Sequence, residues 1–331
     1  MRRVQIIDTT LREGNQTPGV RWSIDDSTKI GLLLKEAGLD MIEAGHPFVS
    51  EMEAKRVKRL VEIATPVPVL AHARALIIDV EAAAKSGAAW VGIFSGINRI
   101  TQTTRMRNRS QEEILNRIRA SVSHARALGL KVRYTVEDAS RTPLDKIILA
   151  FRTAVEAGAD RLCFSDTVGI LTPEEVRYQL GYLKREFPTI PFEVHFHNDR
   201  GLSMANALSA IEAGAEWISS SVNGIGERCG ITDTCSLIAN LAYDGHRAFP
   251  PERALMHLSE TVAALSRVAT SPLAPIVGRN AFRHTAKLHV VAVKRAAMSY
   301  QWLDPKLFGR SVEIAETGSE VATLSLAAAR K

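Results

Sequence analysis

Glu156-Ala157-Gly158-Ala159-Asp160, followed at once by Leu162-Cys163-Phe164-Ser165, reads as a helix end, a small-residue turn and a short apolar strand. A glycine just past a helix end supplies the left-handed cap that lets the chain turn back. The same junction recurs at Glu36-Ala37-Gly38-Leu39-Asp40, Lys85-Ser86-Gly87-Ala88-Ala89, Ala127-Leu128-Gly129-Leu130-Lys131 and Glu212-Ala213-Gly214-Ala215-Glu216. Strands follow these at Met41-Ile42-Glu43-Ala44, Trp90-Val91-Gly92-Ile93-Phe94, Val132-Arg133-Tyr134-Thr135-Val136 and Trp217-Ile218-Ser219-Ser220. Residues 4–8, 67–71 and 192–197 bring the strands to eight.

Helices lie between them. Residues 110–128 carry an apolar stripe of Ile114, Leu115, Ile118 and Val122 at helical spacing. Thr172-Pro173-Glu174-Glu175 is a helix start, with an N-cap, a proline at the first position and acids in the first turn. Eight strand–helix units imply parallel strands joined by crossover helices. Closure into an α/β fold of the (β/α)8 TIM barrel type is expected over an open doubly wound sheet. A dinucleotide-binding sheet would need Gly-x-Gly-x-x-Gly after the first strand, and none stands there. Past residue 245 the rhythm stops at Pro250-Pro251 and Ser271-Pro272-Leu273-Ala274-Pro275, with helical stretches near 252–268 and 281–297. The expected organisation is a barrel domain at 1–245 and a small, mostly helical C-terminal subdomain at 246–331.

Composition narrows the class. The 331 residues are 46% hydrophobic and 24% charged, an ordinary globular balance with length for a large core. No apolar run reaches 18 residues, so no membrane span is expected. The N-terminus runs straight into a strand with no signal-peptide core, and Cys163, Cys229 and Cys235 are sparse and odd in number. Both features point to a cytoplasmic protein without a disulfide framework. A net charge of +6 favours anionic small molecules. No basic stripe interleaved with aromatics is present, so nucleic acid is not an expected partner.

Catalytic groups of such a barrel come from the C-terminal ends of several strands. His195 and His197, in Phe192-Glu193-Val194-His195-Phe196-His197-Asn198-Asp199, lie two apart on a strand and share a face. Six strand ends are polar and converge on one mouth, including Arg12 and Glu13, His72, Arg133 to Asp138, and Ser165 to Thr167. One carboxylate and two imidazoles make an open three-ligand metal site, and Glu13 is the best carboxylate for it. Two histidines favour Zn²⁺, while a mixed nitrogen–oxygen set also takes Mg²⁺ or Mn²⁺. A metal beside Arg12 suits a 2-oxo acid, because the arginine neutralises charge growing on the keto oxygen. Arg133, Thr135 and Thr167 are candidates for clamping carboxylates. Glu227 and Arg228 are read as a structural ion pair supporting the mouth, and His46 as a loop residue.

Asp-Thr-Thr-Leu-Arg-Glu-Gly at 8–14, His-x-His-Asn-Asp at 195–199 and Gly-Ile-Gly-Glu-Arg at 224–228 resemble the homocitrate synthase and 2-isopropylmalate synthase family. These are metal-dependent TIM-barrel enzymes related to HMG-CoA lyase. The likeness continues through Ala281-Phe282-Arg283-His284-Thr285-Ala286-Lys287-Leu288-His289, Tyr300, and Asp304-Pro305 to Gly309-Arg310. It implies Glu13, His195 and His197 as ligands of one divalent metal, and Arg12 as the stabiliser of an enolate or alkoxide oxygen. It implies His72 and Arg133 as contacts to 2-oxoglutarate and Glu137 as the acid near the acetyl group. It further implies His289 as a general base with Tyr300 as its partner, reaching into the neighbouring subunit's barrel, and so a homodimer.

The reaction implied is a Claisen condensation of acetyl-CoA with a 2-oxo acid, driven by thioester hydrolysis. Glu13, Ile231 in Gly230-Ile231-Thr232, and a chain that ends before a leucine-feedback domain lean toward homocitrate synthase and 2-oxoglutarate. The chain departs from the pattern at Asn15, Gly92, Lys287 and the loop 96–107, whose arginines are candidates for a distal anion or the CoA phosphates. Alternatives are the same reaction on 2-oxoisovalerate, oxaloacetate or phosphonopyruvate, a lyase or aldolase cleaving a carbon–carbon bond, and a non-enzymatic barrel.

Overall fold

The computed structural model describes residues 3–315 and 321–323. Eight parallel strands close into a barrel in chain order: β1 (Gln5–Asp8), β2 (Met41–Gly45), β3 (Val69–Arg74), β4 (Trp90–Gly96), β5 (Lys131–Glu137), β6 (Arg161–Asp166), β7 (Phe192–Phe196) and β8 (Trp217–Ser220), with β8 pairing back on β1. Around it run α1 (Ile24–Glu36), α2 (Glu51–Ala64), α3 (Ile77–Lys85), α4 (Arg99–Thr104), α5 (Gln111–Ala127), α6 (Leu144–Glu156), α7 (Pro173–Glu186), α8 (Ser203–Glu212) and α9 (Thr234–Tyr243). The expected barrel is the observed fold.

Local signals set the element ends. Ser110 and Glu113 form a reciprocal capping box at the start of α5, as do Thr172 and Glu175 at the start of α7. Gly129 and Gly158 follow α5 and α6 at φ 81° and 106°, backbone that a side chain disfavours. The strands alternate. Ile93, Val132, Tyr134, Leu162, Phe164, Val194, Phe196 and Ile218 are fully buried in the core cluster that carries the helices. Burying each large side chain stabilises the fold by roughly 1.5–3 kcal/mol.

The opposite face of the same strands fills the barrel. Its lower end holds Ile7, Met41 and Leu70 with Trp90 and Trp217. Arg161 is sandwiched there, its guanidinium carbon 4.6 Å from the Trp90 ring centre and 4.0 Å from that of Trp217. Above it the interior is charged, and the site is built on those charges.

Beyond the barrel, α10 (Ala254–Ser266) packs on α1, and α11 (Lys287–Arg295) follows. Helices α10 and α11 fall within the two helical stretches expected there, and short strands accompany them. Short strands β9 (Arg283–His284), β10 (Glu313–Ala315) and β11 (Val321–Thr323) form a three-stranded sheet in the order β11-β10-β9. Segments of two or three residues leave too little periodicity to read. Among the described residues no helix is long and apolar enough to cross a membrane.

Candidate active site

The chain leaving β1 turns at once, with the Arg12 and Glu13 amides both donating to the Thr9 carbonyl at 3.0 and 2.7 Å. That turn sets Arg12 and Glu13 side by side over the barrel axis, in contact with each other. From β7, His195 and its neighbour His197 face the same point. Their Nε2 atoms lie 3.4 Å apart, and each is 4.0 Å from a Glu13 carboxylate oxygen. The three ligand-capable atoms lie within 4.8 Å of one another, and all three residues are buried.

This donor set fits a divalent metal. His195 Nδ1 lies 2.9 Å from Ser219 Oγ, which orients the ring and directs Nε2 at the cluster. Burial, then His197 and Arg12, hold the His195 pKa well below its ordinary value, and burial lowers that of His197. Both imidazoles are therefore neutral, the form a metal requires. The Glu227 amide donates to Glu13 Oε1 at 3.0 Å. The loop after β8 approaches so closely that a Cβ at Gly226 would sit 2.9 Å from Glu13 Cγ.

Below the cluster a ladder of buried charges descends the barrel. Arg12 Nε donates to Glu43 Oε1 at 3.1 Å. Glu43 also accepts from Arg133 at 3.1 Å and lies 2.7 Å from His72 Nδ1. Arg133 donates to Glu193 at 2.8 Å, and Glu193 lies 3.3 Å from Arg161 Nε. Burial pushes the Glu43 pKa up, but Arg12, Arg133 and His72 together hold it well below the carboxylate range. Burial takes His72 down to about 3, so it is neutral, and it stacks on Phe94 at 4.6 Å.

A cavity of about 760 Å3 opens over this floor. Its lining brings together Arg12, Glu13, His72, Arg133, Thr135 and Glu137, with Thr167, His195 and His197 also on its wall. Two of these groups are already engaged. The Arg133 guanidinium is shared between Glu43 and Glu193, and Glu137 is in contact with Arg105. Burial raises the Glu137 pKa against the pull of Arg105. Thr167 Oγ1 accepts from the Asp138 amide at 2.8 Å, and the buried Thr135 hydroxyl lies beside the Cys163 thiol. Gly92 stands where a Cβ would lie 2.4 Å from Arg133 Nη2, so the arginine occupies the space that a side chain there would need.

His289 and Tyr300 are not among the residues lining this cavity. They stack on each other in the C-terminal part, ring centres 3.8 Å apart and 18° between planes, with Tyr300 half exposed. The expected Glu227–Arg228 pair does not form. Arg228 turns instead to Asp199, at 2.8 Å, and to the Thr167 carbonyl. His46 is more than a loop residue. It lines the cavity and places Nε2 2.8 Å from the buried Asp79 carboxylate. Glu43 and Glu193 were also missed, although a glutamate inside an apolar strand was a visible signal.

Residues 3–264 match the family model described as HMGL-like. The chain belongs to the HMGL-like family. This HMGL-like enzyme is 41% identical over 313 residues to a homocitrate synthase of Sulfurisphaera tokodaii, covering 93% of this chain and 68% of that one. It is 38% identical over 315 residues to a homocitrate synthase of Saccharolobus solfataricus, covering 94% and 68%. These relatives make it an acyl-transferring enzyme. Its fold is shared with HMG-CoA lyases from Bacillus subtilis (TM-score 0.71, 21% identity, 80% of this chain and 94% of that) and Pseudomonas aeruginosa (0.73, 19%, 89% and 99%).

Proposed function

We propose that this HMGL-like enzyme condenses acetyl-CoA with a 2-oxo dicarboxylic acid, 2-oxoglutarate first among them, in a homocitrate synthase-type reaction. The convergence of Glu13, His195 and His197 beside Arg12 at the cavity floor carries this reading. Those three residues would hold a divalent metal, which when bound supplies Lewis acidity toward a ketone oxygen. Arg12 offers the positive charge that the keto oxygen needs as it gains an electron pair. Thr135 and Thr167 present hydroxyls to a carboxylate, with His72 and the Arg133 charge beneath them. Glu137 stands on the donor side of the same cavity.

In the condensation a methyl C–H bond of the donor breaks and its proton passes to His289. The carbon attacks the keto carbon, whose oxygen takes the electron pair and then a proton. Water then cleaves the thioester and the CoA thiol leaves. His289 and Tyr300 reach this cavity from a second copy of the chain, so the active form is a homodimer in which the segment that carries this pair serves the neighbouring barrel. Exposed Leu288, Val291 and Met298 beside that pair support an interface there. Three unbonded cysteines support a reducing, cytoplasmic setting.

Free-thiol release from acetyl-CoA with 2-oxoglutarate, 2-oxoisovalerate, pyruvate, oxaloacetate and phosphonopyruvate tests the substrate. We expect 2-oxoglutarate to lead in kcat/KM, and a different leading acid sinks that assignment. Mixing His289→Gln and His195→Ala chains tests the dimer. Exchange should restore about a quarter of wild-type turnover, the share of intact sites in randomly paired dimers. Mixtures as inactive as either parent would place His289 elsewhere.

A further inference from the structure

We propose that His46, held by Asp79, is the base that takes the proton from the water that cuts the condensed thioester, an inference that rests on the condensation proposed above. Water must lose a proton as it attacks, and the other histidines of the site have different work. His195 and His197 belong to the metal cluster, His289 takes the methyl proton, and His72 is tied to Glu43. Among the described residues, His46 is the remaining imidazole on the cavity wall.

Its ring is fixed on one side. Nε2 lies 2.8 Å from the carboxylate of Asp79, which is fully buried in the first turn of α3. Asp79 also accepts from the Arg74 amide at 3.1 Å and from the Arg74 guanidinium at 2.8 and 2.9 Å. Burial pushes the Asp79 pKa up, but the bonds from His46 and Arg74 hold it down at about 2, so the group is ionised. An ionised carboxylate only accepts, so the shared hydrogen sits on Nε2 and the neutral ring keeps its lone pair on Nδ1. Among the described residues nothing hydrogen-bonds to Nδ1. A base oriented by a third group, with its accepting nitrogen open, is the arrangement that activates a weak nucleophile.

The backbone holds the same residue from behind. His46 leaves β2 after Gly45, at φ 147°, where a Cβ would lie 2.6 Å from Glu53 Oε2 and 2.8 Å from Arg56 Nη2. The His46 amide donates to Glu53 Oε2 at 3.3 Å. Buried Arg56 donates to the same carboxylate at 2.6 Å and to the Leu11 carbonyl at 3.1 Å. That carbonyl belongs to the peptide bond that carries Arg12, so one pair on α2 fastens both His46 and the Arg12 turn. Across the wall the His46 ring meets His72 edge-on, centres 5.9 Å apart, and His72 reaches Arg12 through Glu43. His46 thus stands two side chains away from Arg12.

In the step itself, one O–H bond of water breaks as its oxygen attacks the thioester carbonyl, and the proton passes to His46 Nδ1. The C–S bond then breaks with its electron pair on sulfur. The imidazolium, stabilised by Asp79, returns the proton to sulfur, leaving a carboxylic acid and the CoA thiol.

Homocitryl-CoA, supplied as the condensed thioester to enzyme loaded with a divalent metal, isolates this step. Free thiol reports hydrolysis, and acetyl-CoA reports reversal of the condensation in the same sample. Their ratio does not depend on how much of the protein is folded. His46→Gln should lower thiol release about 100- to 10,000-fold. Acetyl-CoA formation should stay within about twofold, because the groups that act on the carbon–carbon bond are untouched. Asp79 is a positioning residue, and Asp79→Asn, which turns an amide N–H toward Nε2, should lower thiol release at least about tenfold with the same selectivity. Thiol release retained in His46→Gln, or absent from the wild type, overturns the proposal. So does a loss confined to Glu137→Gln, the cavity carboxylate whose pKa burial raises. Both products falling in step in His46→Gln and Asp79→Asn would mean that the pair only shapes the cavity, which also overturns it. A wild type that forms no acetyl-CoA sinks the condensation alone, and thiol release lost in His46→Gln then still supports the base.

Discussion

Each barrel strand has two faces in different media. On the outer face Phe164, Val194, Phe196 and Ile218 meet helices and carry no charge, and any similar apolar packing would serve. On the inner face of the same strands stand Arg161, Glu193 and His195, and each is defined by a partner on another strand. The outer face makes the barrel stable and tolerates apolar replacements of similar volume. The inner face adds little stability, because the desolvation of buried ions offsets much of their attraction. What it supplies is position: the ladder from Arg161 to Arg12 fixes where the charges beneath the cavity lie.

The comparison breaks most sharply at the top of the inner face. Dialysis against a chelator should abolish turnover, and Zn²⁺, Mg²⁺ or Mn²⁺ should restore it. His195→Ala should lower kcat by about a thousandfold or more, an order typical of losing a ligand that holds the Lewis acid. Turnover indifferent to both would remove the metal from the reaction.

One step down, a pair of variants should match in stability and part in activity. Glu43→Ala removes the carboxylate that Arg12 and Arg133 share, leaving Arg12 only Glu13 and Arg133 only Glu193, and should cost about 3–5 kcal/mol. Phe164→Ala on the outer face should cost a similar 3–5 kcal/mol through its cavity. Urea unfolding would measure both. Activity per folded molecule should fall at least tenfold for Glu43→Ala and stay near wild type for Phe164→Ala. Equal activities would mean the ladder is structural only.

The smallest effect comes from a carboxylate whose neighbours include no cation. Asp8 is fully buried at the end of β1, accepting from the Thr10 amide and the Thr234 hydroxyl at 2.9 and 2.8 Å. Burial pushes its pKa from 3.8 up to about 6. Because the folded value is raised, the protonated native state is favoured. That contribution is fully present below pH 3.8 and is lost as pH rises through 6. The shift corresponds to roughly 3 kcal/mol. Asp8→Asn should lack this component, so its deficit against wild type should shrink between pH 4.5 and pH 7 in urea titrations. A constant gap would mean that Asp8 titrates normally.

Much of this was legible in the chain. The glycine junctions announced the helix ends, and two-residue alternation placed His195 and His197 on one face. Glu13 followed from its place after the first strand. The inner ladder was not legible, because its pairs join residues far apart in sequence: Glu43 meets Arg133 across 90 positions and Arg133 meets Glu193 across 60. His46 was missed for the same reason, since Asp79 comes to it from the first turn of α3, 33 positions on. Arg228 has two acidic groups within reach, and only the folded loops select Asp199 over Glu227.

The order of strands and helices, the choice of a closed barrel, and the carboxylate and imidazoles at its mouth are set by local rules: periodicity, caps and spacing along one chain. Closing the barrel decided the rest. It set Arg133 between two buried carboxylates in the space left by Gly92, joined Glu137 to Arg105, and left His289 and Tyr300 outside their own cavity. Charges act through space in a medium of low polarity, so their partners are fixed by which strands become neighbours and not by which residues follow one another.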